Sequence, residues 1–350
     1  MSTSDLETPG ALPHGDKHIC LIGLGAIGMS FLALHLTYTS ARVSVYDPRP
    51  DLQEHLESVL PLYLPSSWSP STIGSTMTTT TTTTTASVVS ELLSSKRLVM
   101  HSSLASAVQE ATIIQEQGPE HLPFKQSTWS EVIKHAPPTA HLWSSTSGIP
   151  ASQQLSHLAA GDAAKRKLLV VHPFNPPHIM PLLELVPSPD TAERELGFAR
   201  DYFASLGSGH RPITIHKESA GFVANRLAFI LFREACHLVS EGVASAEEVD
   251  EIVRASLGPR WAVAGPFKMY AFGGGKRGMA GFLDNIGEAI DGVWNDAGAI
   301  TMGEEGWKKT VVRQTDEAYG TLGPEEIRGR DEALRRIVRV QEDLTGEKQS

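Results

Sequence analysis

A histidine and a glutamate on two neighbouring apolar runs are the side chains of this sequence best suited to acid–base chemistry. His172 ends the first run, Glu184 lies in the second, and a proline-rich reversal around His178 separates them. If the runs fold back as a hairpin, the imidazole and the carboxylate face each other across it. The carboxylate would then raise the basicity of the imidazole and fix its tautomer, as a general base for an alcohol proton requires. A surface hairpin with an incidental ion pair is the alternative interpretation.

A glycine-rich turn early in the chain predicts a site for a dinucleotide. An apolar run over residues 18–22 leads into the turn, and a helical pattern follows it. Gly23 permits a tight turn, Gly25 lets the backbone approach a pyrophosphate, and Gly28 lets the helix pack close to the strand. The free N–H groups of the first helical turn would hold the phosphates. The cofactor-binding residues predicted in this turn are Gly23, Gly25, Ala26, Ile27 and Gly28.

An acidic residue at the end of the next apolar run favours NAD over NADP. Asp47 follows Gly28 by roughly 20 residues, the spacing at which an acid binds the ribose 2′-hydroxyl of NAD. Its carboxylate would repel the 2′-phosphate of NADP, whereas Arg49, slightly further on, works against that preference. No residue cluster has the spacing of metal ligands, so we expect no metal and assign the redox chemistry to the nicotinamide.

Strand and helix patterns alternate through the first part of the chain and then give way to helical patterns alone. Residues 17–217 predict an α/β domain with a doubly wound, Rossmann-type sheet and helices on both faces. Residues 218–345 predict an all-helical C-terminal domain. Residues 1–16 predict a flexible tail, and a threonine run marks a low-complexity, poorly packed insertion at about 71–90.

Finer patterns within the α/β part predict individual elements. They indicate a helix over residues 51–60, a loop over 61–70 and a helix over 153–160. Ser147 and His172 each follow a predicted strand. Because ligands of open α/β sheets bind beyond the carboxyl ends of the strands, we expect both side chains at the ligand edge.

Composition and charge are those of an ordinary globular protein large enough for two domains. The chain has 350 residues, of which 41% are hydrophobic and 20% charged, and its formal net charge is −10. This negative charge argues against nucleic acid or an anionic membrane as a partner, and no apolar stretch approaches the length of about 18 residues that a membrane span needs. Cys20 and Cys236 lie in apolar runs typical of buried thiols in a reducing compartment. Together with the absence of an N-terminal targeting pattern, they predict a cytoplasmic protein.

Five motifs together resemble the 3-hydroxyacyl-CoA dehydrogenase superfamily, and within it the branch of L-gulonate 3-dehydrogenase (lambda-crystallin) and carnitine dehydrogenase. The motifs are Gly23–Gly28 with Asp47, Gln115–Glu120 with Lys125, Ser145–Ser147, His172–Glu184 and Gly221–Arg226. They occur in the family's order and cover roughly residues 17 to 300. The stretch His172–Pro177, followed by Pro181 and Leu182, is more similar to the sugar-acid and carnitine branch than to the acyl-CoA branch.

The resemblance implies catalytic roles for four residues. His172 would be the base and Glu184 its charged partner. Ser147 and Asn225 would be the polar groups that hold the reacting oxygen. The alternatives are that Ser147 caps the segment after it, and that Asn225 is an interior polar residue bonded to backbone.

The resemblance also implies a cofactor, a substrate class and a partner. Glu120 and Lys125 would contact NAD near the nicotinamide ribose. The substrate would be an L-3-hydroxy acid of the sugar-acid or carnitine-like kind, because the insertion lacks the dense basic patch expected for CoA. An L-3-hydroxyacyl-CoA dehydrogenase and a non-catalytic, crystallin-like NAD(H)-binding protein are the alternatives. The family implies a homodimer formed through the C-terminal helices.

Overall fold

The structure, a computed structural model, describes residues 14–65, 68, 85–159 and 161–345. The chain divides into two compact units between Ala224 and Asn225. Most of the predicted tail and most of the predicted insertion lie outside the described residues. Within the described ranges, no helix has the length and apolar character needed to cross a membrane.

A mostly parallel sheet forms the centre of the first unit. Its strands are β1 (His18–Ile22), β2 (Arg42–Tyr46), β3 (Leu98–Met100), β4 (Ile113–Glu116), β5 (His141–Ser144), β6 (Leu168–Pro173), β7 (Leu182–Pro187) and β8 (Arg211–Thr214). Their order is β3-β2-β1-β4-β5-β6-β7-β8. β7 runs antiparallel to β6, whereas the other neighbours are parallel. The strand order changes direction between β1 and β4, which is where sheets of this kind bind ligands.

Helices cover both faces of this sheet. They are α1 (Ala26–Tyr38), α2 (Leu52–Tyr63), α3 (Thr85–Ser94), α4 (Leu104–Val108), α5 (Leu122–His135), α6 (Ala151–Gln154) and α7 (Glu193–Ser205). α1, α2, α3 and α7 pack on one face around Phe31, Trp143 and Phe203, and α4, α5 and α6 pack on the other around Trp129. The predicted Rossmann-type domain is confirmed.

The second unit is helical throughout its described residues, as predicted. Its helices are α8 (Ala224–Ser240), α9 (Ala246–Ala255), α10 (Leu257–Val263), α11 (Pro266–Gly273), α12 (Gly278–Asp296), α13 (Glu305–Tyr319) and α14 (Pro324–Thr345), with a short 3-10 helix at Gly275–Arg277. Few side chains are buried, among them Cys236 and Val239. Large apolar side chains are instead exposed, and Phe267 and Trp294 have 82% and 72% of their surface accessible.

Helix α2 extends into the range that the sequence predicts as a loop, so the loop predicted over residues 61–70 begins too early. The helix continues through Pro61. Leu56, Leu60 and Leu64 are spaced four apart and buried, so one apolar face continues past the proline. Packing of that face keeps the last turn helical.

Helix α3 corrects the end of the predicted insertion. It begins at Thr85, inside the range of about 71–90 that the sequence predicts to be poorly packed. Val89 and Leu92 are fully buried in the core of the first unit. Their three-residue spacing places them on one helix face, so Thr85–Ser94 packs on the sheet as a helix.

Helix α6 is shorter than the helix predicted over residues 153–160, because it ends at Gln154. The buried amide of Gln154 accepts a hydrogen bond from Nε1 of Trp129 (2.7 Å) and donates one to the carbonyl of Ile149 (2.8 Å). These bonds tie the end of the helix to α5, and the chain turns after them.

Candidate active site

His172 and Glu184 face each other across the hairpin of β6 and β7, where they are register partners. Nδ1 of His172 lies 2.7 Å from Oε2 of Glu184, and the two side chains are 5% and 2% exposed. The predicted hairpin is therefore confirmed. Because the carboxylate binds Nδ1, the nitrogen on the opposite side of the ring, Nε2, is the one that can take a proton from a substrate.

The second oxygen of Glu184 is held by the backbone that precedes α8. Oε1 accepts hydrogen bonds from the amides of Val223 and Ala224, each at 3.0 Å. Gly221 and Phe222 have φ angles of 70° and 50°, so the chain turns sharply just before these amides. The turn aims both N–H groups at the carboxylate.

Hydrogen bonding keeps Glu184 charged in spite of its burial. Burial alone would raise the pKa of this carboxyl group. The bonds from His172 and from the amides of Ala224 and Val223 outweigh burial and hold the pKa below its ordinary value. A buried negative charge therefore lies against the imidazole of His172.

Phe222 is a site residue that sequence reasoning did not single out. It is fully buried, and its ring centroid lies 5.3 Å from that of His172. A left-handed φ is uncommon for a residue with a side chain, and such residues concentrate at functional sites. The glycine before it was the available signal, but a single sequence does not distinguish this phenylalanine from an ordinary core residue.

The glycine turn fits the pyrophosphate of a dinucleotide. Gly23 has a φ of 91°, which glycine adopts without strain. A Cβ at Gly28 would lie 1.9 Å from the carbonyl oxygen of Gly23, whereas one at Gly25 would meet nothing within 4 Å. Gly28 thus allows the helix to approach the turn itself, and Gly25 leaves the space before α1 open. Ala26 and Ile27 begin α1, so their amides have no partner within the helix and can bind phosphate.

Asp47 is linked to this turn and to a neighbouring arginine. Its Oδ2 accepts from the amide of Leu24 at 2.7 Å, and its Oδ1 accepts from N and Nε of Arg49 at 3.0 and 3.1 Å. Burial would raise the pKa of Asp47, but the bonds from Leu24 and Arg49 hold it below its ordinary value. The acid predicted to read the ribose is thus charged and paired with Arg49.

Lys125, predicted to contact the cofactor, lies beneath the ligand edge. Its side chain is fully buried, and Nζ lies 2.9 and 3.0 Å from the two oxygens of Glu116, which is also fully buried. Glu116 also accepts from the hydroxyl of Ser144 and the amide of Gly118. A direct contact with a ligand requires an exposed group, so the position of Lys125 favours support from below. Glu116 was not predicted as a site residue.

Glu120, the second predicted cofactor contact, lies above this pair. Its Oε2 is 3.8 Å from Nζ of Lys125. Its Oε1 accepts from the amides of Ser147 (3.0 Å) and Gly148 (2.9 Å) and from the hydroxyl of Thr146. With 43% of its side chain exposed, Glu120 is the member of this group that a ligand can reach.

The two residues predicted to hold the reacting oxygen lie on different units. Ser147 follows β5, and its side chain is exposed at the carboxyl end of the sheet. Asn225 is in the first turn of α8, directly after Ala224, whose amide binds Glu184. In the residues that the structure describes, no group of three or more His, Cys, Asp or Glu side chains is arranged to hold a metal ion.

Comparison with known families matches both parts of the chain. Residues 18–219 match the NAD binding domain of 3-hydroxyacyl-CoA dehydrogenase, and residues 221–302 match its C-terminal domain. The chain belongs to the 3-hydroxyacyl-CoA dehydrogenase family. It is accordingly an NAD-dependent oxidoreductase that acts on the CH–OH group of a 3-hydroxy acid, and the predicted family, enzyme class and cofactor are confirmed.

Similar proteins cover most of this dehydrogenase. An L-carnitine dehydrogenase of Streptomyces coelicolor is 30% identical over 97% of this chain and 99% of its own length. A 3-hydroxyacyl-CoA dehydrogenase of Gibberella moniliformis is 35% identical over 80% of each chain. The crystal structure of 5-formyl-3-hydroxy-2-methylpyridine 4-carboxylic acid 5-dehydrogenase, an NAD⁺-dependent dismutase, shares the fold, with a TM-score of 0.67, 24% identity, and coverage of 94% of this chain and 99% of that one.

Proposed function

We propose that this dehydrogenase oxidises the 3-hydroxyl of a small, free L-3-hydroxy acid of the carnitine or sugar-acid kind. The observation that carries the proposal is the buried His172–Glu184 pair at the carboxyl edge of the sheet, the edge that also holds the glycine turn. The L-carnitine dehydrogenase of Streptomyces coelicolor, which matches along almost the whole of both chains, supports a free acid as the substrate.

In the proposed reaction, two residues act on the proton of the substrate's 3-hydroxyl and two act on its oxygen. Nε2 of His172 takes the proton of the 3-hydroxyl, and Glu184 stabilises the imidazolium that forms. Ser147 and Asn225 donate hydrogen bonds to the oxygen as it becomes a carbonyl. NAD, when bound, supplies the acceptor for the hydride that leaves C3. The reverse sequence reduces a 3-keto acid.

The proposed coenzyme site joins the glycine turn to the carboxyl ends of β2 and β4. The amides of residues 25–28 hold the pyrophosphate, and Asp47 accepts from the 2′-hydroxyl of the adenosine ribose. Glu120 contacts the nicotinamide half. Lys125 and Glu116 support Glu120 from the buried side. Nζ of Lys125 lies 3.8 Å from Oε2 of Glu120 and is itself fixed by the carboxylate of Glu116.

A substrate panel tests the proposed function. NADH formation is followed by absorbance with L-carnitine, L-gulonate and L-3-hydroxybutyryl-CoA as separate substrates. We expect turnover with one of the free acids and little with the thioester. Turnover restricted to the thioester would instead establish the acyl-CoA activity, which the relative from Gibberella moniliformis favours.

A non-catalytic, crystallin-like role is the second alternative. It predicts tight NADH binding with no turnover of any substrate in the panel. The position of the buried His172–Glu184 pair argues against it, because the pair lies at the carboxyl edge of the sheet, where ligands of such sheets bind.

We further propose that residues 218–345 bind substrate and form a homodimer, in the cytoplasm. The exposed apolar side chains of the second unit support an interface, since monomeric proteins rarely expose large apolar patches. The unbridged, buried thiols of Cys20 and Cys236 support a reducing compartment. Light scattering of the purified protein tests the dimer, and a monomer mass at micromolar concentration would contradict it.

A further inference from the structure

Four buried polar side chains form a continuous chain of hydrogen bonds through the core of the first unit. The hydroxyl of Tyr202 lies 2.9 Å from Nδ1 of His35, and Nε2 of His35 lies 3.2 Å from Oε1 of Gln115. Nε2 of Gln115 lies 3.0 Å from Oγ of Ser145. Tyr202, His35 and Gln115 are at most 2% exposed, and Ser145 is 9% exposed. The chain of hydrogen bonds therefore begins at Tyr202 in the core and ends at Ser145, its most accessible member.

The four residues of this hydrogen-bond chain come from three elements and from the end of a further strand. Tyr202 lies on α7, His35 on α1 and Gln115 on β4, and Ser145 directly follows β5. Gln115 is the register partner of Trp143, so Ser145, two residues later, lies on the same face of the sheet. The backbone N–H of Ser145 also donates to the carbonyl of Glu116 at 2.8 Å, which fixes the strand end.

Each ring and hydroxyl in the chain is uncharged. Burial lowers the pKa of His35 to about 4, so its imidazole is neutral at ordinary pH. Burial raises the pKa of Tyr202, so its phenol keeps its proton. A neutral imidazole has one donor and one acceptor nitrogen, so the bonds on its two sides must point in the same direction along the chain.

The direction of the bonds follows from the buried phenol. If Tyr202 donates to His35, then His35 donates to Gln115 and Gln115 donates to Ser145. In the opposite direction His35 would donate to Tyr202, and the phenolic hydrogen would need a different acceptor. Among the described residues His35 is the one acceptor within reach of that hydrogen, and a buried donor left unpaired is costly.

The favoured direction leaves the hydrogen of Ser145 available at the sheet edge. Its Oγ already accepts from Gln115, so its own O–H must donate elsewhere. The described part of the chain offers no acceptor within hydrogen-bond distance of it. One donor without a partner among the described residues is thus held at the carboxyl end of β5.

Ser145 lies where the nicotinamide half of a coenzyme would pass. In the sheet, β1 with its glycine turn lies on one side of β4 and β5, and β6 with His172 lies on the other. A dinucleotide that is bound at the glycine turn and at Asp47 must cross the ends of β4 and β5 to reach His172.

We propose that Tyr202, His35 and Gln115 are positioning residues that hold the Ser145 hydroxyl as a hydrogen-bond donor to the nicotinamide half of the bound coenzyme. The inference rests on the coenzyme placement proposed above. Preorganisation is the physical reason for the chain, because a hydroxyl held in one rotamer loses less freedom when it binds a ligand.

A double-mutant cycle on NADH binding, measured by fluorescence titration without substrate, tests this role. Ser145→Ala removes the donor, and we expect the Kd for NADH to rise about tenfold, the effect of one hydrogen bond. Gln115→Met removes the support, and we expect a rise of about threefold to tenfold. In the Ser145→Ala background, Gln115→Met should change the Kd by less than about twofold, because the hydroxyl that it positions is already gone.

Two outcomes overturn the proposal. An unchanged Kd in Ser145→Ala removes the donor role, and equal effects of Gln115→Met in the two backgrounds remove the positioning role. Should Gln115→Met fold poorly, Tyr202→Phe takes its place in the same cycle, because it removes a single oxygen and keeps the ring. The titration needs no substrate, so its result is independent of the substrate panel. Gly25→Val, which would fill the space before α1, reports separately whether NADH uses the glycine turn at all.

Discussion

Two histidine–glutamate pairs lie at opposite edges of the same sheet. At the carboxyl edge, Nδ1 of His172 lies 2.7 Å from Glu184, and at the amino edge Nδ1 of His141 lies 2.5 Å from Glu195. His141 is the first residue of β5, and Glu195 is in the first turn of α7. Both pairs join Nδ1 of a histidine to a glutamate. Both carboxylates are buried, with 3% of the Glu195 side chain and 2% of the Glu184 side chain exposed.

The surroundings of the two pairs differ. His141 stacks on Phe198, with ring centroids 3.6 Å apart, and Glu195 is also bound by Nε of Arg194. The carboxylate at the carboxyl edge is instead bound by two backbone amides, near the strand ends where ligands bind. A histidine–carboxylate contact is therefore not by itself a sign of catalysis. The position of each pair, at or away from the strand ends where ligands bind, separates the catalytic role from the structural one.

The largest contrast should come from removing each imidazole. We expect His172→Gln to lose at least about 10²-fold in turnover, the lower end for general-base catalysis, and to retain NADH binding. His141→Gln should keep turnover within about twofold, because it lies at the edge away from the ligand. Steady-state kinetics with the best substrate of the panel measures both variants. Equal losses in the two would remove the distinction between the edges.

A smaller contrast should come from removing each carboxylate's charge. Glu184→Gln leaves the ring in place but no longer stabilises the imidazolium, so we expect turnover to fall about 10- to 100-fold. The matched change Glu195→Gln should alter thermal stability and leave turnover nearly unchanged. Thermal unfolding and kinetics on the same samples separate the two effects. A slow Glu195→Gln enzyme with normal stability would contradict this assignment.

The coenzyme provides a third contrast, confined to the carboxyl edge. Asp47→Ala should weaken NAD use and improve NADP use, shifting the ratio of their kcat/KM values by about tenfold or more, because it removes a negative charge and releases Arg49. Asp47→Ala combined with Arg49→Ala should lose the gain for NADP. An unchanged ratio in the single variant would refute the role of Asp47 in reading the ribose.

The smallest expected effect is a dependence on pH that both edges share. The pKa values of Glu184 and Glu195 lie below the ordinary value, although burial works in the other direction. Each pair therefore adds stability above the unfolded pKa of about 4.3, and this contribution is lost as pH falls through the lower, folded pKa. The two glutamine variants should be less stable than the parent at neutral pH and approach it below about pH 4. A difference that grows with acid would contradict this sign.

Local patterns were sufficient to predict the parts of the site that depend on neighbours in sequence. The glycine turn, the acid after β2 and the hairpin of His172 each lie within a short stretch whose spacing has a physical meaning. Gly23 in particular has the positive φ that its place in the turn implies.

Features that depend on packing between distant segments were not predicted. The burial of Lys125 against Glu116 requires the end of β4 and the start of α5 to be placed first, and the left-handed Phe222 depends on the turn before α8. For the chain of hydrogen bonds from Tyr202 to Ser145, the signal in the sequence was Gln115 itself. A polar residue in a strand buried on both faces must find a partner, but the sequence does not say which one.

The carboxylate of Glu184 contacts two segments that are far apart in sequence. One is the strand that carries His172, and the other is the backbone that leads into α8. One residue inserted after Gly221 would move the Val223 and Ala224 amides out of reach of that carboxylate while leaving every side chain of the hairpin intact. Such a protein would also displace the buried Phe222, and Glu184 would lose both of its backbone donors. The length of this linker is therefore under chemical as well as structural constraint.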